Sequence, residues 1–502
     1  MLHSSCVETL PLSLYRAEQV RELDRVAIQT EGIAGFTLMR RAAQATFRLL
    51  LAVYPEPEKI TVFCGTGNNG GDGYVVATLA RQHGIAVEII QCGAVDKIQG
   101  DALQARQHAL QDGVVVTEFH SGLTLDAGVV VDALLGTGLS GEVRGVAAAA
   151  IDLINASGRP VIAVDIPSGL CSDTGQVLGK AVIAAHTISF IGLKQGLLTT
   201  SGPDCVGVIH FADLSVPESV YQQVPVAIER LDLGVWLRTL PARLATAHKG
   251  HFGHVMVVGG DAGMAGAAAM ASQAAGRIGA GLVSCATRPE HIPAIISRCP
   301  EVMVHGVISG QEIEPLLERA STVVVGPGLG QGPWGEQLLQ KVAKLTVPLV
   351  VDADALNILA AGRVIKKAHR DNWILTPHPG EAARLLGCSI ATVQQDRFAA
   401  VVELQKRYGG AVILKGAGSL VADAQHSRLG LCAYGNAGMA SGGMGDVLSG
   451  VLGGLLAQGL SPADAARLGV CLHACAADHA AMDGARGMVA TDLMPYLRRL
   501  VN

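Results

Sequence analysis

Ile60-Thr61-Val62-Phe63-Cys64-Gly65-Thr66-Gly67-Asn68-Asn69-Gly70-Gly71-Asp72-Gly73 is the stretch that decides the fold class. Its first residues form a continuous apolar run, as a strand buried on both faces requires, and its glycines mark the tight turn by which such a strand enters a helix, expected near 73–83. The pattern repeats outward from there. Val87-Glu88-Ile89-Ile90, a helix-like 101–111, Val129-Val130-Val131, a helix near 145–156 and Pro160-Val161-Ile162-Ala163-Val164 follow in turn. Apolar strands separated by helices of this length imply a parallel sheet covered on both faces. The segment 14–53 carries helical periodicity and is expected to pack as leading helices.

A second alternation starts at His254-Val255-Met256-Val257-Val258 and recurs at Thr322–Val325, Pro348–Val351, Trp373–Leu375 and Ala411–Leu414. Between the two, over about 215–248, the sheet pattern lapses and Pro217, Pro225 and Pro241 appear. The reading is therefore α/β with two domains, 1–222 and 223–502. Each is expected to be an open sheet whose ligands lie at the C-terminal ends of the strands.

Composition agrees with this class. The chain of 502 residues is 49% hydrophobic, 16% charged and 4% aromatic, with 62 Gly and no three-residue Gly period. A formal charge of −5 without long runs of one sign gives no electrostatic footprint for nucleic acid. The 11 Cys are scattered, many in apolar contexts, and read as reduced core residues. His473, Cys475 and His479 are the nearest approach to a metal cluster, but their alanine-rich helical setting favours packing over zinc. Met1–Leu14 lacks a basic region followed by an apolar core, and no uncharged apolar run reaches the ~18 residues of a membrane span. A cytoplasmic location is expected.

In the first half, Gly65–Gly70 satisfies GxGxxG, and Glu88 lies where a dinucleotide fingerprint places its ribose-binding acid, taken as the end of the next strand. Asn68, Asn69 and Asp72 complicate that reading, because a plain pyrophosphate loop presents mostly backbone. Two further strand ends are polar: Asp132, followed by Leu135-Gly136-Thr137-Gly138-Leu139-Ser140-Gly141-Glu142, and Asp165-Ile166-Pro167-Ser168-Gly169. The oxygens of Asn69, Asp132 and Ser168 suit a hard cation, or merely tie loops together. Asp165 ends a buried strand among these loops and is the acid/base candidate; a carboxylate holding a ribose hydroxyl would look the same.

The second half carries Gly259-Gly260-Asp261, Gly326-Pro327-Gly328-Leu329-Gly330, Asp352-Ala353-Asp354, Thr376-Pro377-His378-Pro379-Gly380-Glu381 and Lys415-Gly416-Ala417-Gly418-Ser419. It ends in Asn436-Ala437-Gly438-Met439-Ala440-Ser441-Gly442-Gly443-Met444-Gly445-Asp446, which runs into the apolar Val447–Leu452. Small residues before a helix let backbone N–H groups converge on a phosphate, and the helix dipole adds to the attraction. Asp446 would then sit in the first turn as the general base for an attacking hydroxyl, with Gly442–Gly445 as the anion hole. A tightly packed glycine loop before a core helix is the bland alternative. His378 could be a satisfied loop residue, Lys415 a solvated strand end, and Asp352 with Asp354 either a helix cap or water-mediated Mg²⁺ ligands. Walker A is absent.

The three polar motifs of the first half, in this order, resemble the epimerase domain of the NAD(P)H-hydrate repair family. Gly-Pro-Gly-Leu-Gly, Thr-Pro-His-Pro-Gly-Glu and Gly-Gly-Met-Gly-Asp resemble the ribokinase-like, ADP-dependent dehydratase of that family. The resemblance covers about 14–500. It implies a Rossmann-like N-terminal α/β sandwich, a ribokinase-like C-terminal domain, and a hydrated NADH or NADPH substrate with R and S epimers. In the first domain it implies that Asn68, Asn69, Gly70, Gly71, Asp72, Gly136–Glu142 and Asp165 face the hydrate, and that Asn69, Asp132 and Ser168 hold K⁺. In the second it implies that Ala262, Gly328, His378 and Asp446 face the S hydrate, that Lys415–Ser419 and Asn436–Gly445 hold ADP, and that Mg²⁺ assists. Partners would be small molecules, with a homo-oligomer expected and neither nucleic acid nor membrane. The residues alone also admit a small-molecule kinase with a dinucleotide-sensing first half, or a non-catalytic nucleotide binder.

Overall fold

The computed structural model describes residues 9–126, 128–365 and 368–502. Most of Met1–Leu14, and Cys6 within it, lies outside these residues. The chain divides into two compact units, one running to Ile228 and one from Glu229 to the end, so the division falls inside the proline-bearing stretch. Among the described residues no helix is long and apolar enough to cross a membrane.

The first unit is built on seven strands: β1 (Lys59–Cys64), β2 (Ala86–Gln91), β3 (Val115–Glu118), β4 (Val129–Ala133), β5 (Val161–Val164), β6 (His186–Phe190) and β7 (Val208–Ala212). All pair in parallel, in the order β3-β2-β1-β4-β5-β6-β7. Alternate side chains serve opposite faces. Val62, Ile89, Val131 and Ile162 join the core under α1 (Ala17–Gln29), α2 (Gly35–Val53), α3 (Asn68–Gln82) and α4 (Gly100–Gln111). Phe63, Ile90 and Val130 point the other way, against Ile151 and Ile154 of α5 (Gly145–Ala156). This double coverage is why the strands read as unbroken apolar runs. β3, β6 and β7 escaped the reading because they are edge or polar strands: Thr187 and Ser189 interrupt β6, and no residue of β7 is fully buried.

The strand order reverses between β1 and β4, which opens a crevice beyond their C-terminal ends. α3 begins at Asn68, earlier than expected, so Asn69 and Asp72 sit in its first turns. Glu88 is not at a strand end. It lies in the first half of β2, pairs with Lys59 at 3.0 Å and accepts a hydrogen bond from Thr61. It points away from the ligand edge, and the dinucleotide fingerprint loses its acidic member.

The second unit contains β8 (His254–Val258), β9 (Leu282–Thr287), β10 (Met303–Gly306), β11 (Thr322–Val325), β12 (Leu349–Val351), β13 (Trp373–Leu375), β14 (Ala411–Leu414), β15 (Ser419–Asp423) and β16 (Leu429–Cys432). Their order is β10-β9-β8-β11-β12-β13-β14-β15-β16, parallel as far as β14, with β15 and β16 following as antiparallel neighbours. On one face α6 (Ala265–Ile278) packs on α9 (Met444–Ala457), the Gly-rich motif's helix. Their backbones approach so closely that a Cβ on Gly450 would stand 2.1 Å from the Ala271 carbonyl. α7 (Ala353–Ala361) and α8 (Pro379–Leu386) start directly after β12 and β13, and α10 (Pro462–Ala480) packs on α9.

Each unit has its own run of parallel strands and its own buried core. Residues 9–228 and 229–502, expressed separately, should each give a cooperative thermal transition by circular dichroism. A segment that stays unfolded alone would show that it depends on the other.

Candidate functional site

The crevice of the first unit is a cleft of about 720 Å³. Asn68, Asn69, Asp72, Gly136, Thr137, Gly138, Leu139, Ser140 and Asp165 all line it, so loops distant in sequence converge as parallel strand ends require. Gly70, Gly71, Gly141 and Glu142 do not. A Cβ on Gly70 would stand 2.1 Å from the Gly65 carbonyl and one on Gly71 2.5 Å from Met39, so both glycines serve the packing of the turn. Glu142 is exposed and pairs with Arg144 at 2.9 Å.

Below the cleft, Asp132 is fully buried and its Oδ1 accepts from Ser168 Oγ at 2.6 Å, while Oδ2 accepts from the Ser168 N–H at 2.8 Å. Burial raises the Asp132 carboxyl to about 6 against those hydrogen bonds. Asn69 is buried too, and both its amide oxygen and its amide nitrogen lack a hydrogen-bond partner. An orphaned buried amide costs free energy unless something outside the chain satisfies it.

Asp165 follows β5 with φ 70°, a left-handed backbone that an Asp adopts only where its surroundings impose it. Its carboxylate forms an ion pair with Lys194 and accepts from the Phe190 N–H at 3.2 Å. The Lys194 side chain is wholly buried, and its ammonium also donates to the Phe190 carbonyl at 3.1 Å and to Ser189 Oγ at 3.2 Å. Asp24, from α1, lines the same cleft. Burial is the main cause that lifts Asp24 to about 6, and burial with the charges of Asp165 and Asp24 lifts Asp72 well above the carboxylate range. The sequence reading missed Lys194 and Asp24. Their signals were a lysine inside the apolar Ile191–Leu198 run and an acid beside Leu23 on the apolar face of an amphipathic helix.

In the second unit the predicted loops again share one sheet edge. The Asp261 N–H donates to the Gly328 carbonyl at 2.6 Å, which joins the loops after β8 and β11 and leaves Ala262 exposed between them. Asp352, at the end of β12, is 1% exposed; its Oδ1 pairs with Lys415 Nζ at 2.9 Å and its Oδ2 accepts from Ser449 Oγ of α9 at 2.8 Å. Lys415 is therefore no solvated strand end. Its ammonium is directed at Asp352 and, at 3.9 Å, Glu381. Arg397, which the sequence did not advertise, supports this loop from below by donating to the carbonyls of Leu414 and Lys415 at 3.2 Å. Asp354 accepts from the Gly330 N–H at 2.9 Å and from Gln331 at 3.0 Å.

His378 is satisfied within its loop, as one of its expected parts required. Its Nδ1 caps α8 by accepting from the Gly380 N–H at 2.9 Å, its Nε2 lies 3.4 Å from Glu381, and the residue remains exposed. Asn436 opens the Gly-rich segment with its Oδ1 accepting from the Gly438 N–H at 3.0 Å and its amide held by Asp478 at 2.9 Å. Gly443 caps α9 at φ 90°, and a Cβ on Gly442 would meet nothing within 4 Å, so open space stands before the helix start. Asp446 lies in the first turn of α9. Burial, then the neighbouring Asp352 charge, raises its carboxyl to about 7 in spite of Lys415. His473 is buried on α10 with a backbone bond to Met444, burial lowers it to about 4, and His479 stacks on Tyr496. These two therefore serve the packing around α10.

Comparison with known proteins gives concordant matches to both units. The family model described as NAD(P)H-hydrate dehydratase matches residues 255–499, and that of the YjeF-related protein N-terminus matches 35–196. The bifunctional NAD(P)H-hydrate repair enzyme Nnr of Coxiella burnetii is 47% identical, over 97% of this chain and 99% of its own. The enzyme of the same name from Escherichia coli is 45% identical, over 98% and 95%. A solved ADP/ATP-dependent NAD(P)H-hydrate dehydratase from Bacillus subtilis, co-crystallised with ATP and Mg²⁺, is 28% identical, covers 54% of this chain and 96% of its own, and superposes with a TM-score of 0.47. With full-length relatives at this identity and both units matched, the chain belongs to the family of bifunctional NAD(P)H-hydrate repair enzymes.

Proposed function

We infer that this chain repairs hydrated NADH and NADPH: the first unit interconverts the R and S epimers, and the second dehydrates the S epimer at the expense of ADP, giving AMP and phosphate. The observation that carries the second assignment is Asp446, a half-buried carboxyl lifted to about 7 beside an open glycine-rich helix start. Hydroxide is a poor leaving group and phosphate a good one. Transfer of a phosphoryl group to the substrate hydroxyl, with Asp446 accepting its proton, turns dehydration into an easy elimination. The N–H groups of Gly442–Gly445 and the α9 dipole stabilise the transferring group, and Asn436–Gly445 with Lys415–Ser419 seat the nucleotide. Ala262, Gly328 and His378 lie along the same sheet edge and form the hydrate side of the site.

Two ions belong to this reading. Asn69, Asp132 and Ser168 fit K⁺: an oxygen-only set with an orphaned amide and a buried carboxylate wants a weakly hydrated cation. Bound there, K⁺ would neutralise Asp132 and fix the three loops of the cleft. Mg²⁺ fits less directly. The oxygens of Asp352 are committed to Lys415 and Ser449, and those of Asp354 to Gly330 and Gln331, so an ion carried on nucleotide phosphates would meet them only through water. The free thiols among the described cysteines accord with the cytoplasm. The homo-oligomer expected above belongs to this reading as well, and sedimentation of the full chain measures it.

Three measurements test the assignment. Asp446→Asn should cut dehydration of the S hydrate by about 10²–10⁴-fold while nucleotide affinity and epimerisation hold, followed by the returning near-ultraviolet absorbance of reduced nicotinamide. Near-normal turnover in that variant would place the base elsewhere. Because a base must be ionised, wild-type dehydration should fall about tenfold per pH unit below about 7, the value to which Asp446 is raised. Replacing K⁺ by Li⁺ should slow epimerisation and lower the thermal midpoint of the first unit, and leave dehydration of pure S hydrate unchanged.

A further inference from the structure

The cleft of the first unit holds more ionisable groups than substrate binding needs. Asp24 from α1, Asp72 from α3, Asp165 after β5 and Lys194 beyond β6 all line it; the charge of Asp165 raises the carboxyls of Asp24 and Asp72, and Asp72 feels Asp24 as well. Cys64 and Cys92 are the neighbouring thiols, and Arg21 and Asp101 are the other charged residues along the cleft. One buried ammonium faces three carboxyl groups. It forms its ion pair with Asp165, whose left-handed backbone aims the carboxylate at that partner. Asp72 sits in the first turns of α3, on the same cavity, with no ion-pair partner among the described residues.

Resting on the repair reading above, we propose that epimerisation is an exchange of water between a proton donor, Asp72, and a proton acceptor, Asp165, with Lys194 as the positioning residue that assigns these roles. The hydroxyl-bearing carbon of the hydrate adjoins the ring nitrogen. Asp72 protonates the hydroxyl, the C–O bond breaks with its electron pair leaving in water, and the nitrogen lone pair forms a C=N⁺ bond. A water then adds to the other face: its oxygen bonds the carbon, the π pair returns to nitrogen, and Asp165 takes the released proton. One water leaves and one enters, and the proton returns from Asp165 to Asp72 through the water of the cleft. No oxidant, reductant or nucleotide is needed. Separation of carboxyl groups into a protonated and an ionised member by one shared charge is a recurrent way to obtain acid and base from the same residue type. The raised carboxyl of Asp72 agrees with the donor role.

The test uses the full-length protein without ADP, purified R hydrate of NADH, and chromatographic separation of the epimers. Asp72→Asn is nearly isosteric and carries the decision. It should lower kcat by about 10²–10³-fold with KM within about threefold, and abolish the fall of activity at high pH that a required protonated donor imposes. Lys194→Met removes the ion pair that holds the Asp165 carboxylate in place, so kcat should fall by about 10²-fold with KM little changed, and Lys194→Arg, which keeps that pair, should restore most of it. Near-normal kcat in Asp72→Asn, or in Lys194→Met, would overturn the proposal. A wild-type protein that does not speed epimerisation would instead overturn the repair reading of this unit, and the proposal with it.

Discussion

Asp352 is the constraint on which the second unit's site depends. Burial alone would raise its carboxyl, yet Lys415, Ser449 and Thr376 together hold it below the usual range. These partners come from the end of β14, from α9 and from the loop after β13, so one carboxylate at the end of β12 ties neighbouring strand ends to the helix that carries Asp446. Removing one partner of a buried pair of this kind costs about 3–5 kcal/mol, because the other charge is left unpaired in a dry place. The backbone of Gly445 passes directly over the pair: a Cβ there would stand 3.3 Å from Lys415 Nζ and 3.5 Å from Asp352 Oδ2. The glycine-rich helix start thus has its position set by an ion pair that no periodicity announces.

Fold class, the two alternations and most strands were legible because parallel strands buried on both faces must be apolar without a break, and Val62, Val131, Val257 and Val324 obey that rule. The strands that failed to announce themselves, β3, β6, β7, β9, β10, β15 and β16, are edge, polar or antiparallel: Ser284 and Thr287 interrupt β9, and elsewhere one face or one side is relieved of that demand. At the sites, the residues that stand in glycine-rich strand-end loops were readable, since sheet geometry places them on one edge. Lys194, Asp24 and Arg397 were not. Lys194 and Asp24 lie within apolar stretches and Arg397 opens a helix, and the charges of Lys194 and Arg397 are accounted for only by partners elsewhere along the chain: Asp165 for Lys194, the Leu414 and Lys415 carbonyls for Arg397. Glu88 erred the other way. It sits at the right distance in sequence, but the register opposite Thr61 places it near the start of its strand.

The two units answer a common chemical demand with a common arrangement on unrelated loops. Each places one lysine, wholly buried at Lys194 and partly buried at Lys415, among several carboxyl groups at the C-terminal edge of a parallel sheet: Lys415 with Asp352, Glu381 and Asp446, and Lys194 with Asp165, Asp72 and Asp24. In such a cluster the carboxylate in contact with the ammonium ionises readily and its negative charge then opposes ionisation of the next. Asp352 is held low and Asp446 is raised to about 7, in part by Asp352 itself. The pairing therefore produces a carboxyl poised near neutrality as a by-product of a structural ion pair.

That arrangement also separates what each site can do. The second unit adds a helix N-terminus and an open glycine turn in front of its raised carboxyl, which are the features a transferring phosphoryl group requires. The first unit places its raised carboxyls along a cleft large enough for substrate and water, where proton transfer without group transfer is the chemistry available. On the assignments proposed above a repair enzyme needs both: the dehydrating site would discriminate one configuration, because a base and an anion hole together fix where the hydroxyl must lie, and the epimerising site must accept both. The geometric strictness of the first demand and the openness of the second are met by the same parallel-sheet edge, differing in whether a helix N-terminus or an open cleft stands in front of the carboxyls that gather around the lysine.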